Sequence, residues 1–342
     1  MSFLFSKIKL ATYKDIIKEI QSDKAAPVYI LSGLEPYYID QISNAAEQVL
    51  DDTQKEFDQT ILYGDNCTVG NIIETAKRYP LMSPKQVVIV KEAQNIDKLT
   101  DLQSYVENPL DSTLLLICVK LKEGKTKALP KKNKKNQAVY FNSAKEYDNK
   151  ITDWIANHAR DLGIKIDLKA CNLLFEFLGN DLSRIHNELK KLTVNVPPEK
   201  TIDSAIIEKY VGISKDYNMF ELQSAFTQRD VLKANKIINY YANSKSFSMP
   251  YLIVLLYGYF EKLINYHELL REKKSAKEIE GMMRLNYFQA RDMQQAVRVF
   301  NYRKSVEALN ILMEYDLKSK GFNSASASTG DLLKEMIFKI MH

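Results

Sequence analysis

The chain has 342 residues, of which 45% are hydrophobic and 27% charged, with a formal net charge of +5. That length exceeds what one ordinary core serves and predicts two or three domains, while the balanced composition excludes bulk disorder. The mild positive charge permits a nucleic-acid role without requiring one, and only 11 Gly and 9 Pro predict a helix-rich chain with few irregular loops.

The opening segment "MSFLFSKIKL" meets lysines within a few residues and lacks the shape of a signal peptide. Residues 13–21 have a helical period, with Thr12 placed as N-cap. Five β-like runs follow: 27–33, 57–64, 86–92, 112–120 and 137–143, with helix-period segments at 37–50, 69–78 and 97–107 between them. Strands alternating with helices predict a mostly parallel sheet, and the continuous apolar character of the strands predicts cover on both faces. After about residue 144 the pattern becomes helical. "KITDWIANHARDLG" puts Ile151, Trp154, Ile155 and His158 on one face and ends at Gly163. "LKACNLLFEFLG" closes at Gly179, "DLSRIHNELKKL" opens at Asp181, and "SAIIEKYVG" follows. From residue 215 helix-period segments continue to the end, at 218–227, 230–243, 250–271, 275–283, 286–297, 301–319 and 330–341, the longest with Pro250 in its first turn. The domains expected are therefore 1–143, 144–214 and 215–342. The apolar run "PYLIVLLYGYF" stops at Glu261-Lys262, short of the roughly 20 residues that span a bilayer, and predicts a buried helix in a soluble protein with no membrane partner.

Catalytic chemistry is hard to find. "VYILSGLEPYYIDQI" (28–42) has the strand, glycine turn and helix of a phosphate cradle. It lacks the Lys-Ser/Thr that would neutralise phosphate and hold Mg²⁺; Glu35 would repel phosphate, and Pro36 removes a backbone donor. Gly124-Lys125-Thr126 mimics the end of a P-loop, but Val119 stands where the first glycine belongs, and a charged, Pro-interrupted run follows in place of a helix. In "VVIVKEAQNI", Lys91 occupies the position of a Mg²⁺-organising Asp. His158, His186, His267 and His342 share no ligand spacing, and the first two are expected to pack within helices. Cys67, Cys118 and Cys171 form no C-x-x-C pair and are expected to be reduced, buried thiols of a cytoplasmic protein. The chain reads as a non-enzyme without cofactor or metal.

Two features could carry function. In "KRYPLMSPKQ" (77–86), Leu81 and Met82 lie on a short loop bracketed by Pro80 and Pro84. They fit an apolar anchor for a partner's pocket, or ordinary filling tucked under the sheet. From Lys120 to Lys135, eight lysines face one acid, Glu123. The run, including Lys125, Lys127, Lys131 and Lys132, fits a solvated mobile loop or phosphate-backbone contact. No aromatic interleaves it, so base stacking is not indicated.

Taken together, "VYILSGLEPYYID", "YPLMSPKQVVIVKEA", "LGNDLSRIHNELKKL" and "YDLKSKG" resemble, in order, segments of the delta subunit of bacterial DNA polymerase III, the wrench of the clamp loader. The resemblance implies an α/β plus all-α, AAA+-like chain: a Rossmann-type parallel-sheet domain, a small helical lid domain and a C-terminal helical collar domain. It implies a subunit that binds no ATP, leaves catalysis to the rest of the polymerase holoenzyme, and opens the sliding clamp (beta) for loading during replication. Its other implied partners are the gamma/tau and delta-prime subunits and primer–template DNA. The family's adjacent Leu-Phe pair, which enters the clamp's hydrophobic pocket, falls on Leu81 and Met82, with Met in place of Phe and both expected to be exposed. Arg184 lies about where an active relative carries a lid arginine, and is read as structural. The competing readings are an active AAA+ ATPase and a free-standing basic nucleic-acid adaptor.

Overall fold

The computed structural model describes residues 12–132, 137–212, 217–243, 248–285, 287–322 and 328–342. The N-terminal segment and two lysines of the basic run, Lys134 and Lys135, lie outside the described residues. The chain separates into two units, 1–146 and 147–342.

In the first unit, α1 (Tyr13–Ile20) starts at Thr12, whose side chain forms a reciprocal capping box with Asp15. Then come β1 (Val28–Gly33), α2 (Pro36–Glu47), α3 (Asp52–Asp58), β2 (Gln59–Tyr63) and α4 (Val69–Ala76). These are followed by β3 (Gln86–Lys91), α5 (Gln103–Glu107), β4 (Thr113–Lys120) and β5 (Ala138–Ser143). The strands form one sheet in the order β2-β3-β4-β1-β5, and every pairing is parallel. Register is set by apolar runs buried on both faces: Val28 lies opposite Leu115 and Ala138, and Gln86 opposite Thr113. One face packs against α1 and α2 through Ile16, Ile39 and Ile42, the other against α4 and the 99–107 segment through Ile72, Leu102 and Val106.

Two boundaries differ from expectation. Phe57 and Asp58, assigned to a strand by sequence pattern, end α3, which Asp51 opens with a capping box. The segment 97–107 is a 3₁₀ turn (Leu99–Leu102) running into the short α5.

The second unit is helical. It begins with α6 (Asp148–Asp161), α7 (Leu168–Leu178), α8 (Leu182–Asn195) and α9 (Ser204–Val211). Asp167, Asp181 and Asp203 cap α7, α8 and α9 by accepting backbone N–H groups. It continues with α10 (Met219–Gln228), α11 (Val231–Asn243), α12 (Met249–Arg271), α13 (Ala276–Met282), α14 (Tyr287–Val299), α15 (Tyr302–Ser319) and α16 (Thr329–Met341). Here α12 packs along α15 and α11 against α16, around a core that includes Phe226, Leu256, Phe260 and Tyr315. None of the described helices is long and apolar enough to cross a membrane.

Candidate functional site

A parallel sheet has two unlike edges. Ligands of α/β proteins bind outside the carboxyl ends of the strands, where helix N-termini point. In this chain that edge is occupied by its own side chains. Glu35 is buried, and its carboxyl caps α2 by accepting the Tyr37 N–H at 3.1 Å, so an internal acceptor already occupies the helix N-terminus. The turn before it is cramped: Glu35 N–H donates to the Ser143 carbonyl at 3.1 Å, and the Ser143 hydroxyl donates to the Glu35 carbonyl at 2.6 Å.

The neighbouring strand ends are filled by ion pairs. Lys91, at the end of β3, meets Glu47 of α2 at 2.7 Å. Lys120, at the end of β4, meets Asp40 at 2.8 Å and Glu92 at 3.2 Å. Burial alone would lower both lysine pKa values; the hydrogen bonds to their carboxylate partners outweigh it and hold both above the ordinary lysine value. Both cations are therefore paired at this edge.

Beyond β4 the basic segment is fastened at several points, while Lys122, Lys125, Lys131 and Lys132 are exposed. Lys120 is paired as above, and Lys127 Nζ donates to the Ile96 carbonyl at 2.5 Å. Leu129 packs on the sheet's core and Pro130 is buried. Gln103 bonds the backbone of Lys131, and Lys132 lies 5.9 Å from the Tyr140 ring centre. Lys122 and Lys125 flank the turn at Gly124, where Lys125 N–H donates to the Lys122 carbonyl. No helix follows that turn within the described residues up to 132.

The opposite edge, at the amino ends of the strands, carries the Pro-bracketed loop between α4 and β3. Leu81 is 78% exposed and Met82 58%, with Tyr79 beside them at 75%. The pair does not tuck under the sheet, so the filling alternative fails. Both ends of the loop are anchored. At its start, Tyr105 OH and Thr113 Oγ1 donate to the Ala76 carbonyl at 3.1 and 2.8 Å. Gln86 Nε2, at its end, donates to the Thr75 carbonyl and to Thr113 Oγ1, both at 3.0 Å. Between these anchors the backbone N–H groups of Leu81, Met82 and Ser83 all donate to the carboxylate of Asp58, at 2.6, 2.8 and 2.7 Å. The Ser83 hydroxyl shares its hydrogen between Asp58 Oδ2 at 2.8 Å and the Lys85 carbonyl at 2.6 Å. Asp58 is buried; desolvation would raise its pKa, but these hydrogen bonds outweigh it and hold the carboxyl below the ordinary Asp value.

Asp58 is the residue that sequence reasoning missed. Its partners lie 23 to 25 positions further on, beyond any local motif. The available signal was only an acid next to the start of a strand, in a stretch that also holds Asp51, Asp52 and Glu56.

Elsewhere, the structure brings together two histidines that sequence spacing kept apart. His158 Nε2 and His186 Nδ1 are 2.7 Å apart, with Trp154 stacked on His158. Burial and the charge of Lys190 lower the His186 pKa. His267 bonds the Phe300 carbonyl, and His342 the Phe338 carbonyl. The backbone N–H of Arg184 serves the Asp181 cap. Cys118 and Cys171 are buried, whereas Cys67 is only half-buried, a departure from expectation at the start of α4.

Known proteins match along nearly the whole chain. The family model described as DNA polymerase III, delta subunit, matches residues 29–143, and the model for the C-terminal domain of the same delta subunit matches 216–336. A model described as a middle domain matches 148–209 between them. The DNA polymerase III subunit delta of Bacillus subtilis is 24% identical over 326 residues, covering 89% of this chain and 91% of the relative. The solved structure of the Bacillus subtilis DNA clamp loader delta protein (YqeN) superposes with a TM-score of 0.59 at 20% identity, covering 96% of this chain and 99% of that one.

Proposed function

The chain belongs to the delta-subunit family of DNA polymerase III, and from that premise we propose that it grips and opens the replicative sliding clamp through Leu81 and Met82 without hydrolysing ATP. The observation that carries the reading is the exposure of two large apolar side chains on a loop fastened by its backbone. Moving one such side chain from water into a partner's pocket contributes about 1.5–3 kcal/mol. Two such anchors shift the balance toward an open ring by as much as the pocket binds them more tightly in the open form than in the closed one.

The nucleotide-free part of the reading is supported by the strand ends at the other edge. Phosphate would meet Glu35 on the helix N-terminus, and Mg²⁺ would meet Lys91 in place of a carboxylate. The chain is thus read as a cytoplasmic subunit with no catalytic site of its own. The helical segments are assigned as in the family, a lid over 144–214 and a collar from 215 that joins the gamma/tau and delta-prime subunits. Primer–template DNA in the assembled loader is assigned to the basic segment after β4, with Lys125, Lys127, Lys131 and Lys132 as its contacts.

Calorimetric titration of the full chain with purified sliding clamp tests this. Wild type should bind with the same Kd with and without MgATP. The double variant Leu81→Ala/Met82→Ala should lose roughly a hundredfold or more in affinity at unchanged thermal stability. Wild-type affinity in that variant would sink the assignment. Measurable ATP binding by the chain alone would favour the ATPase reading instead.

A further inference from the structure

Two large apolar side chains held in water are an unusual thing for a loop to maintain, because collapse onto the nearby sheet would remove them from solvent. Something must hold the backbone so that collapse is unavailable. We infer that Asp58 is the positioning residue that keeps Leu81 and Met82 projecting in their binding-ready arrangement, an inference that rests on reading the pair as the clamp anchor.

The geometry is specific to that task. Three consecutive N–H groups converge on one carboxylate, with the Ser83 hydroxyl as a fourth donor. No partner strand or helical turn offers residues 81–83 those bonds, since they lie between α4 and β3 in neither element. Asp58 in turn is rigidly placed. It ends α3 and directly precedes Gln59, which begins β2 and pairs with Val87 of β3. The loop is therefore tied, through one side chain, to the strand beside the one it leads into. Every bond uses backbone or Ser83, and none uses the side chain of Leu81 or Met82. That leaves both side chains outside the fastening and lets residue 82 be Met or another large apolar residue without altering the support. A loop ordered before the partner arrives has less freedom to lose on binding.

Asparagine at this position keeps the shape but turns one of the two acceptor oxygens into a donor, so at least one N–H of the loop faces another N–H. The test compares wild type, Asp58→Asn, Ser83→Ala and Leu81→Ala/Met82→Ala as full chains. The readouts are clamp titration, thermal unfolding and amide hydrogen exchange resolved at residues 81–83 and in β3. Asp58→Asn is expected to accelerate exchange at the loop amides about tenfold or more while β3 stays protected, and to weaken clamp binding about tenfold. Ser83→Ala, which removes one donor and leaves the carboxylate intact, should shift both in the same direction by about threefold. It also decides the matter should Asp58→Asn fail to fold. Faster loop exchange with a clamp Kd within twofold of wild type would make Asp58 a structural fastener only and overturn the inference. Unchanged loop exchange would overturn it as well. If the Leu81/Met82 double variant binds normally, the clamp assignment falls and takes this inference with it. If that variant fails to bind while Asp58→Asn binds as wild type, only the role of Asp58 is lost.

Discussion

At the scale of single residues, Gly33 shows how one atom of clearance decides an identity. Its φ is +153°, and a Cβ built there would sit 2.0 Å from the Ser143 carbonyl oxygen of β5. Strand-turn-helix pattern reading treats this glycine as part of a possible phosphate cradle. Its observed necessity is different: β5 pairs with β1 up to Gly33 itself, and the two backbones leave no room for a side chain. Gly33→Ala should destabilise the first unit by about 2–4 kcal/mol through steric displacement plus backbone strain. Scanning calorimetry checks this as a drop in that unit's midpoint, and an unshifted midpoint would mean that the β1–β5 pair relaxes freely.

At the scale of elements, the loop between α4 and β3 is held by parts that contribute little apolar area. The buried end of α4 leaves carbonyls at Thr75 and Ala76 that Gln86, Thr113 and Tyr105 satisfy from β3, β4 and α5. Thr113→Val keeps the volume but removes the donor to Ala76 and the acceptor for Gln86. It should cost about 1–3 kcal/mol and speed exchange at the amides around residue 77, readable in the same hydrogen-exchange experiment; full protection there would show that Tyr105 alone suffices. The strands and most helices were legible from sequence because apolar periodicity and caps such as Thr12 and Asp181 are local signals. The exposed Leu81-Met82 pair was legible as one of two alternatives from its proline brackets. What was illegible depends on distance along the chain. The seven-residue α3 carries too little apolar period to announce itself. The Asp58 contacts and the His158–His186 pair each join residues more than 20 positions apart, and the fastening of the lysine segment rests on Ile96 and Gln103, also far upstream.

At the scale of the whole molecule, the second unit contains an acid whose ionisation bears on its stability. Glu176 of α7 accepts the Phe220 N–H at the start of α10, at 2.7 Å, while its other oxygen is enclosed without a partner among the described residues. Burial pushes this carboxyl up to about 8. A carboxyl raised in the folded state binds its proton more tightly there than in the unfolded chain. Stability of this unit should therefore fall as pH rises from the ordinary Glu range, near 4.5, through about 8. Glu176→Gln keeps an acceptor for Phe220 and should flatten that slope, which thermal midpoints measured across pH 5 to 8.5 will show. A slope equally steep in the variant would place the titration elsewhere.

The carboxyl of Glu35, seated on α2, has a consequence for how this chain can change over evolutionary time. On the nucleotide-free reading, acquiring phosphate affinity requires removing that acid and also supplying a cation at the turn. Neither step is rewarded alone. Deleting Glu35 takes the capping acceptor from the Tyr37 N–H in a buried site, and a lysine introduced beside an intact Glu35 would be neutralised by it. Glu35 thus couples the two changes: phosphate affinity at this turn takes the loss of the buried acid and the gain of a cation together.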